Sequence, residues 1–197
     1  MAGKKTRMEN RVWRMAKKVM QPKISAELNA RLAKVKLFLC DVDGILTDSS
    51  IFIGLGEEFK RFHIRDGLGL VLLREQGIKV GWVSKRPSEA TTRRARELKI
   101  DFLEQSKGDK VAIVEKLLAR NGFKWEEVCY MGDDIVDLGV LKRAGVAATV
   151  SDAVDEARAA AHYVTQAAGG RGGVREVVEL VLKAQNRWPK LVAANLA

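Results

Sequence analysis

The sequence is constrained most by a regular alternation of short apolar runs and helix-like stretches that begins at Val35. Runs with the composition of buried strands lie at 35–40, 78–83, 100–103, 128–131, 145–150 and 162–164. The stretches with a helix-like pattern lie at 66–76, 88–98, 109–120, 134–143, 152–160 and 173–185. This order predicts an α/β fold, with a Rossmann-like, mostly parallel sheet between helices.

Residues 45–64 interrupt this alternation, because they carry no helical period. Two strand-like runs, 50–53 and 59–64, flank a Gly-Leu-Gly-Glu sequence at 54–57, which predicts a β-hairpin that projects from the loop after the first strand. A two-stranded hairpin is marginal by itself. We therefore expect its apolar side chains to pack against other copies of the chain. These side chains are Ile51, Phe52, Ile53, Phe59 and Phe62.

Basic residues are concentrated near the N-terminus. The chain has 35 Lys and Arg against 25 Asp and Glu. Residues 1–36 contain eleven of the basic residues but only two acidic ones, Glu9 and Glu27. A basic arm of this kind can bind nucleic acid or anionic lipid. A solvated tail or a packing helix is the plainer interpretation, so we do not expect a nucleic-acid partner.

The chain divides into three predicted parts. They are a basic N-terminal extension over 1–34, a folded domain over 35–188 that includes the hairpin, and a C-terminal tail over 189–197. In the extension, we expect one helix to end at Pro22 and a second to span 24–33 with Ser25 as its cap.

The sequence also indicates where the protein resides. No apolar run reaches the roughly 18 residues that a membrane-spanning helix needs, and the basic N-terminus lacks the uninterrupted apolar stretch of a secretory signal. Cys40 and Cys129 each lie in an apolar strand-like run, as buried reduced thiols do. We therefore predict a cytoplasmic protein.

Polar clusters directly follow three of the predicted strands. They are Asp-Val-Asp-Gly at 41–44, Ser-Lys-Arg at 84–86 and Gly-Asp-Asp at 132–134. In α/β sheets ligands bind beyond the carboxyl ends of the strands, so we expect these clusters to form one site. Each cluster alone is more typical of a turn or a helix cap; their occurrence together at three strand ends favours function.

The chemistry of these residues predicts a magnesium-dependent phosphatase. Asp41 and Asp43 are two residues apart, so in an extended segment both carboxylates face one way. With Asp133 they form an oxygen-only ligand set that suits Mg²⁺. We expect Asp41 to attack phosphorus and form an aspartyl-phosphate. We expect Asp43 to protonate the leaving group and then to activate water.

Four more residues complete the predicted site. The hydroxyl of Ser84 and the ammonium of Lys110 can bind phosphoryl oxygens in the transition state. Asp134 and Asp137 can position Lys110 or the waters of the metal ion.

These residues resemble the motifs of the haloacid dehalogenase superfamily. The first motif matches residues 41–48, the second Ser84, the third Lys110 and the fourth residues 132–137. Within this superfamily, the sequence is most similar to the 3-deoxy-D-manno-octulosonate 8-phosphate phosphatase family. This resemblance extends from about residue 35 to residue 185. The narrower match depends on Gly-Glu-Glu at 56–58, Arg-Asp-Gly-Leu-Gly at 65–69, Tyr-Met-Gly-Asp-Asp at 130–134 and Gly-Gly-Arg-Gly-Gly-Val-Arg-Glu at 169–176.

The resemblance implies a homotetramer without a large cap domain, in which a neighbouring subunit helps to close each site. It implies a sugar-acid phosphate substrate, on the route to the 3-deoxy sugar acid of bacterial lipopolysaccharide. Two positions depart from the family pattern, because Lys85 replaces a glycine and Val71 stands where some members carry arginine. The residues expected to contact substrate are His63, Ile64, Arg65, Asp66, Gly67, Arg86, Arg94, Lys110 and Arg171.

Two alternatives stay open from the sequence. Close relatives of the family hydrolyse nine-carbon sugar-acid 9-phosphates, and a non-catalytic partner protein can keep the same fold. The segment 169–173 has four glycines and one arginine, so we expect a mobile loop there. Arg171 is then a candidate for binding the substrate of a neighbouring subunit.

Overall fold

The computed structural model describes residues 24–54 and 56–195. Six of its strands form one sheet in the order β5-β4-β1-β6-β7-β8, and every neighbouring pair is parallel. The remaining two, β2 and β3, form an antiparallel hairpin. The strands are β1 Leu37–Cys40, β2 Phe52–Gly54, β3 Glu57–Phe59, β4 Lys79–Ser84, β5 Phe102–Gln105, β6 Val128–Met131, β7 Val146–Thr149 and β8 Tyr163–Val164.

Helices connect the parallel strands, so the predicted α/β fold with a parallel sheet is confirmed. The helices are α1 Ala26–Leu32, α2 Ile64–Glu75, α3 Glu89–Glu97, α4 Lys110–Asn121, α5 Leu138–Leu141, α6 Asp155–Ala160, α7 Gly173–Ala184 and α8 Trp188–Ala194. Single 3₁₀ turns cover Trp125–Glu127 and Ile135–Asp137.

The core lies on both sides of the sheet. All four residues of β1 are completely buried, as are Val128 to Met131 of β6. A strand that is covered on both faces buries every side chain, so its residues are apolar at successive positions. This explains the continuous apolar runs in the sequence. Cys40 and Cys129 are free thiols within these buried strands.

Helix α1, at the end of the predicted N-terminal extension, packs on the domain. The hydroxyl of Ser25 accepts a hydrogen bond from the backbone N–H of Leu28, as expected for the cap. Leu28 and Leu32 are buried, and the side chain of Gln185 donates to the carbonyl of Val35. The helix expected to end at Pro22 lies outside the described residues.

Three elements differ from the sequence-based expectation. The second hairpin strand is Glu57–Phe59 rather than 59–64. The stretch 134–143 divides into a 3₁₀ turn and the single helical turn α5, because side chains at its start bond backbone N–H groups of that turn. Residues 189–194 of the predicted C-terminal tail belong to α8. The ring of Trp188, its first residue, lies 5.0 Å from the guanidinium of Arg175.

The hairpin projects apolar side chains into solvent. Phe52 pairs with Phe59 across the two strands, and these side chains are about half exposed. Ile53 is 85% exposed. Among the described residues, no helix has the length and apolar composition required to cross a membrane.

Candidate active site

The three predicted clusters meet at one edge of the sheet because β1 lies between β4 and β6. Asp41 follows β1, Ser84 ends β4, and Asp133 comes two residues after β6. The backbone N–H of Asp41 still donates to the carbonyl of Met131 at 2.9 Å, so the parallel ladder extends to the first carboxylate. This pairing fixes the position of Asp41.

A buried ammonium lies between two buried carboxylates. Lys110, the first residue of α4, places Nζ 2.6 Å from Oδ2 of Asp41 and 2.7 Å from Oδ1 of Asp137. The hydroxyl of Tyr130 donates to the same oxygen of Asp137 at 2.5 Å. Asp109 caps α4 by accepting from the N–H groups of its first turn. The lysine is therefore held at both its backbone and its charged end.

The pKa values in this cluster follow from burial and like charge. Burial, with the nearby Asp137, raises the pKa of Asp41 to about 6, even though Lys110 opposes the shift. Burial by itself would lower the pKa of Lys110, but Asp41 and Asp137 outweigh it and raise that pKa. Lys110 is therefore a permanent cation beside Asp41, suited to bind an anionic group.

Asp133 lies against the loop that carries Asp41 because Gly44 leaves room for it. Gly44 has a φ of 87°, and a Cβ there would lie 1.9 Å from Oδ2 of Asp133. Oδ1 of Asp133 is buried and has no hydrogen-bond partner among the described residues. Burial, with the charges of Asp41 and Asp137, raises the pKa of Asp133 to about 7. The site thus contains a carboxylate, that of Asp133, with a buried oxygen that no hydrogen bond from the described residues stabilises.

These carboxylates fit a Mg²⁺ ion. Oxygens of Asp41, Asp133 and Asp137 lie within 4.8 Å of one another. Both oxygens of Asp137 already accept hydrogen bonds, from Lys110 and Tyr130 at Oδ1 and from the N–H of Asp134 at Oδ2. Asp41 and Asp133 are therefore the better placed ligands, and a hard cation with oxygen ligands would relieve the repulsion between them.

The carboxylate of Asp43, also predicted to bind the metal ion, lies outside this group of three. It pairs instead with the ammonium of Lys60, which is 2.7 Å from Oδ1 and 3.0 Å from Oδ2. Asp43 remains 27% exposed at its side chain, so it faces the open side of the site. Asp134 is not in the cluster either, since its carboxylate caps the 3₁₀ turn by accepting from the N–H of Ile135.

Ser84 lies at the end of β4 with 1% of its surface exposed. Its hydroxyl oxygen accepts a hydrogen bond from the backbone N–H of Arg86 at 3.1 Å and donates to the carbonyl of that residue. The hydroxyl thus shapes the turn after β4. Lys85, in this turn, is exposed.

Arg86 and Arg94, two of the predicted substrate residues, lie next to a cavity of about 520 Å³ between the hairpin and α3, and Arg94 lines it. Both oxygens of Glu58 bind the guanidinium of Arg86, and the hydroxyl of Ser88 donates to Glu58. Arg94 passes over Gly67, where a Cβ would lie 2.5 Å from its Nη2. Nε of Arg94 is buried without a partner among the described residues.

The segment from His63 to Gly67 forms the start of α2, and its residues have different environments. Ile64 and Arg65 are exposed, whereas Asp66 is 1% exposed. The carboxylate of Asp66 accepts from the backbone N–H groups of Gly172 and Arg175, and His63 lies 3.5 Å from it. Its carboxylate therefore binds the start of α7 in this structure. The substrate contact that we expected of this segment stays a prediction.

The glycine loop expected to be mobile is packed onto the first motif. Gly169 and Gly170 are buried, and a Cβ at Gly169 would lie 1.9 Å from the carbonyl oxygen of Gly44. The N–H of Gly170 donates to the carbonyl of Ile45. Glycine is required here for close backbone approach within the chain. The side chain of Arg171 is 59% exposed and lies 3.7 Å from Asp48.

Sequence reasoning missed several residues that contact the site. Tyr130 binds Asp137, Glu58 binds Arg86, and Lys60 binds Asp43. Tyr130 lies within a strand run, where aromatic residues usually indicate only packing. Glu58 stands in the Gly-Glu-Glu motif at 56–58 and Lys60 follows β3, but the sequence of this segment does not show which residues it contacts.

Comparison with known proteins agrees with this geometry. Residues 102–178 match the haloacid dehalogenase-like hydrolases. A 3-deoxy-D-manno-octulosonate 8-phosphate phosphatase from Yersinia pestis is 39% identical over 165 residues, which cover 83% of this chain and 88% of the relative. The protein of that name from Escherichia coli (strain K12) is 37% identical over the same length.

Solved structures give the same result. The crystal structure of 3-deoxy-D-manno-octulosonate 8-phosphate phosphatase from Moraxella catarrhalis, in complex with a magnesium ion, a phosphate ion and a KDO molecule, is similar with a TM-score of 0.83 and 38% identity. The match covers 85% of this chain and 97% of that one. The chain is thus a haloacid dehalogenase-like phosphatase. Within that class it belongs to the 3-deoxy-D-manno-octulosonate 8-phosphate phosphatase family.

Metal binding should be visible in stability as a function of pH. The pKa values of Asp41 and Asp133, about 6 and about 7, lie above their ordinary value of 3.8, so the folded metal-free protein binds protons more tightly than the unfolded chain. Their contribution to stability is present at low pH and is lost as the pH rises through these values. Mg²⁺ competes with those protons. We expect Mg²⁺ to raise the melting temperature clearly at about pH 8 and little at about pH 5.

Differential scanning calorimetry with and without Mg²⁺ measures this effect, and Asp133→Asn provides the control because it removes the uncompensated carboxylate. An equal Mg²⁺-induced shift at both pH values, or an unchanged shift in the variant, would contradict this ligand assignment.

Proposed function

We propose that this chain hydrolyses the phosphate ester of 3-deoxy-D-manno-octulosonate 8-phosphate, with Mg²⁺ bound by Asp41 and Asp133. The observation that carries the proposal is Asp41 itself, a strand-end carboxylate at hydrogen-bond distance from a buried lysine and close to an uncompensated Asp133. The substrate is the one that its relatives from Yersinia pestis and Moraxella catarrhalis are named for.

In the proposed mechanism Asp41 attacks phosphorus and forms an aspartyl-phosphate. Asp43 gives a proton to the leaving sugar oxygen and then takes one from the water that hydrolyses the intermediate. Lys110 holds a phosphoryl oxygen while its position is fixed by Asp137, and Ser84 is the second donor. Bound Mg²⁺ would supply the positive charge that lets an anionic nucleophile approach an anionic phosphate.

The sugar acid requires a second anion site, and the arginines beside the cavity supply candidates. Arg86 already holds a carboxylate, that of Glu58, through both oxygens. Arginine binds carboxylates in this two-point manner. We propose that the carboxylate of the substrate competes with Glu58 for Arg86, and that Arg94 contributes from the buried wall of the same cavity.

A phosphate-release panel tests this proposal. We expect the kcat/KM for 3-deoxy-D-manno-octulosonate 8-phosphate to exceed that for ordinary sugar phosphates by at least about a hundredfold, since remote binding energy from the carboxylate is available only to the acid. Arg86→Lys keeps the charge but loses the two-point grip, so it should reduce this preference while leaving hydrolysis of p-nitrophenyl phosphate nearly unchanged. A higher kcat/KM for a nine-carbon sugar-acid 9-phosphate would assign the substrate to the alternative.

We further propose that the chain assembles as a homotetramer through the hairpin, as the family resemblance implies. The exposed side chains of Ile51, Phe52, Ile53 and Phe59 support a contact between copies. Light scattering should give a mass near four chains at micromolar concentration, and Ile53→Asp should lower it. A monomer mass for the unaltered protein would refute the assembly.

The proposal also includes a place in the cell. The two buried free thiols, Cys40 and Cys129, support the cytoplasm, where thiols stay reduced. The product would feed the synthesis of the 3-deoxy sugar acid of lipopolysaccharide, as the family resemblance implies. Fractionation of cells that express the protein tests this location.

A further inference from the structure

Lys60 is a buried lysine that sequence reasoning did not identify. It follows β3, and its side chain has no exposed surface although the residue as a whole is partly exposed. Its Nζ lies 2.7 Å from Oδ1 and 3.0 Å from Oδ2 of Asp43. It also donates to Oγ1 of Thr91, a buried residue of α3, at 3.2 Å. Lys60 thus links the hairpin, the loop after β1 and helix α3.

The burial of this ammonium needs a reason, because a buried charge is costly unless it is paired. An ammonium has three N–H donors, and here its polar contacts are Asp43 and Thr91, with the carboxylate of Glu58 at 3.9 Å. All of these groups belong to the protein. Lys60 therefore has a different environment from Arg86, whose side chain is 39% exposed. Lys60 lines the cavity, but its side chain has no exposed surface.

Asp43 can rotate about its side-chain bonds, and the hydrogen bond from Lys60 to Oδ2, together with the ion-pair contact at Oδ1, restricts that rotation. Catalytic groups lose much of their rate contribution when their orientation is not held. We propose that Lys60 is a positioning residue, which holds the carboxyl group of Asp43 in the orientation used for proton transfer. The inference rests on the proposed function, in which Asp43 is the general acid and base.

The proton balance identifies the step that Lys60 affects. As the phosphorus–oxygen bond to the leaving group breaks, its electron pair goes to that oxygen, and the carboxylic acid of Asp43 supplies the proton. In the second step the carboxylate of Asp43 takes a proton from the attacking water as the aspartyl-phosphate is cleaved. An alkoxide leaving group needs the first transfer, whereas p-nitrophenolate is stable without it.

A comparison of leaving groups therefore separates positioning from a structural role. We expect Lys60→Met, which keeps the length and loses the charge, to slow first-turnover cleavage of the sugar-acid phosphate by about thirtyfold or more. First-turnover release of p-nitrophenol from p-nitrophenyl phosphate should fall less than about threefold by the same argument. Lys60→Arg should retain most of the activity on both esters. An equal loss on both esters, or no loss on either, would overturn the inference.

A double-mutant cycle asks whether Lys60 acts through Asp43. If it does, adding Lys60→Met to Asp43→Asn should cause little further loss of cleavage of the sugar-acid phosphate. If the fold-losses in rate of the two single variants multiplied in the double variant, Lys60 would act independently of Asp43, as a substrate contact does. That result would overturn the inference.

The result must also be separable from misfolding and from failure of the proposed function. If Lys60→Met does not fold, Thr91→Val removes only the second anchor of the ammonium, and it should shift the ratio between the two esters in the same direction. If the unaltered protein leaves sugar-acid phosphates intact but cleaves a simple alkyl phosphate, the substrate proposal fails and the comparison proceeds with that ester. Cleavage of no phosphate ester would overturn both proposals.

Discussion

Asp41→Asn should lower turnover of the sugar-acid phosphate by at least about a thousandfold, because the amide cannot attack phosphorus. Asparagine has nearly the same size, so the parallel ladder at the end of β1 should be kept. The substitution also removes a buried carboxylate, whose pKa is raised to about 6 by burial and by the nearby Asp137. We therefore expect a folded, inactive protein, as measured by phosphate release and by circular dichroism.

A matched control is Asp155→Asn, because the side chain of Asp155 is 86% exposed and pairs with Arg158 on the surface. This variant should keep normal turnover. If Asp41→Asn retained activity within about tenfold of the unaltered protein, the covalent mechanism would be wrong.

Lys110→Met should have the second largest effect, and it should act on both activity and stability. Loss of the ammonium leaves Asp41 and Asp137 buried without their cation. Removal of one partner from a buried ion pair typically costs roughly 3–5 kcal/mol. Loss of a preorganised donor to the phosphoryl group costs about a hundredfold or more in kcat. Urea unfolding and steady-state kinetics measure the two effects.

The pH dependence of this variant has a definite sign. Lys110 lowers the pKa of Asp41 against burial, so its loss should raise that pKa further. Stability lost at neutral pH should therefore be partly regained as the pH falls and the stranded carboxylates bind protons.

Two variants separate the contributions. Lys116→Met changes an exposed lysine of the same helix, so it should leave both stability and turnover unchanged. Adding Asp137→Asn to Lys110→Met neutralises one stranded carboxylate, so it should restore part of the stability without restoring turnover. Recovery of turnover in that double variant would mean that Lys110 does not contact the phosphoryl group.

The sequence by itself determined the α/β fold and the place of the reaction. Strands buried on both faces must be continuously apolar, so a polar cluster at 41–44 or 132–134 stands out at the strand ends. Parallel strands present their carboxyl ends at one edge, and this rule predicted that Asp41 and Asp133 meet. These signals are local, because each depends on a pattern within a few residues.

Only the tertiary structure decided which partners these residues have. Lys60 binds Asp43 from 17 positions along the chain and donates to Thr91 on α3, a further 31 positions away, and no local pattern marks these contacts. Asp66 stands in a family motif, yet packing of α2 against α7 commits its carboxylate to backbone N–H groups. Gly169 and Gly170 look like a flexible loop in sequence, but close approach to the backbone of Gly44 and Thr47 requires their lack of side chains. Such roles depend on which surfaces meet, and that is set by the packing of the whole chain.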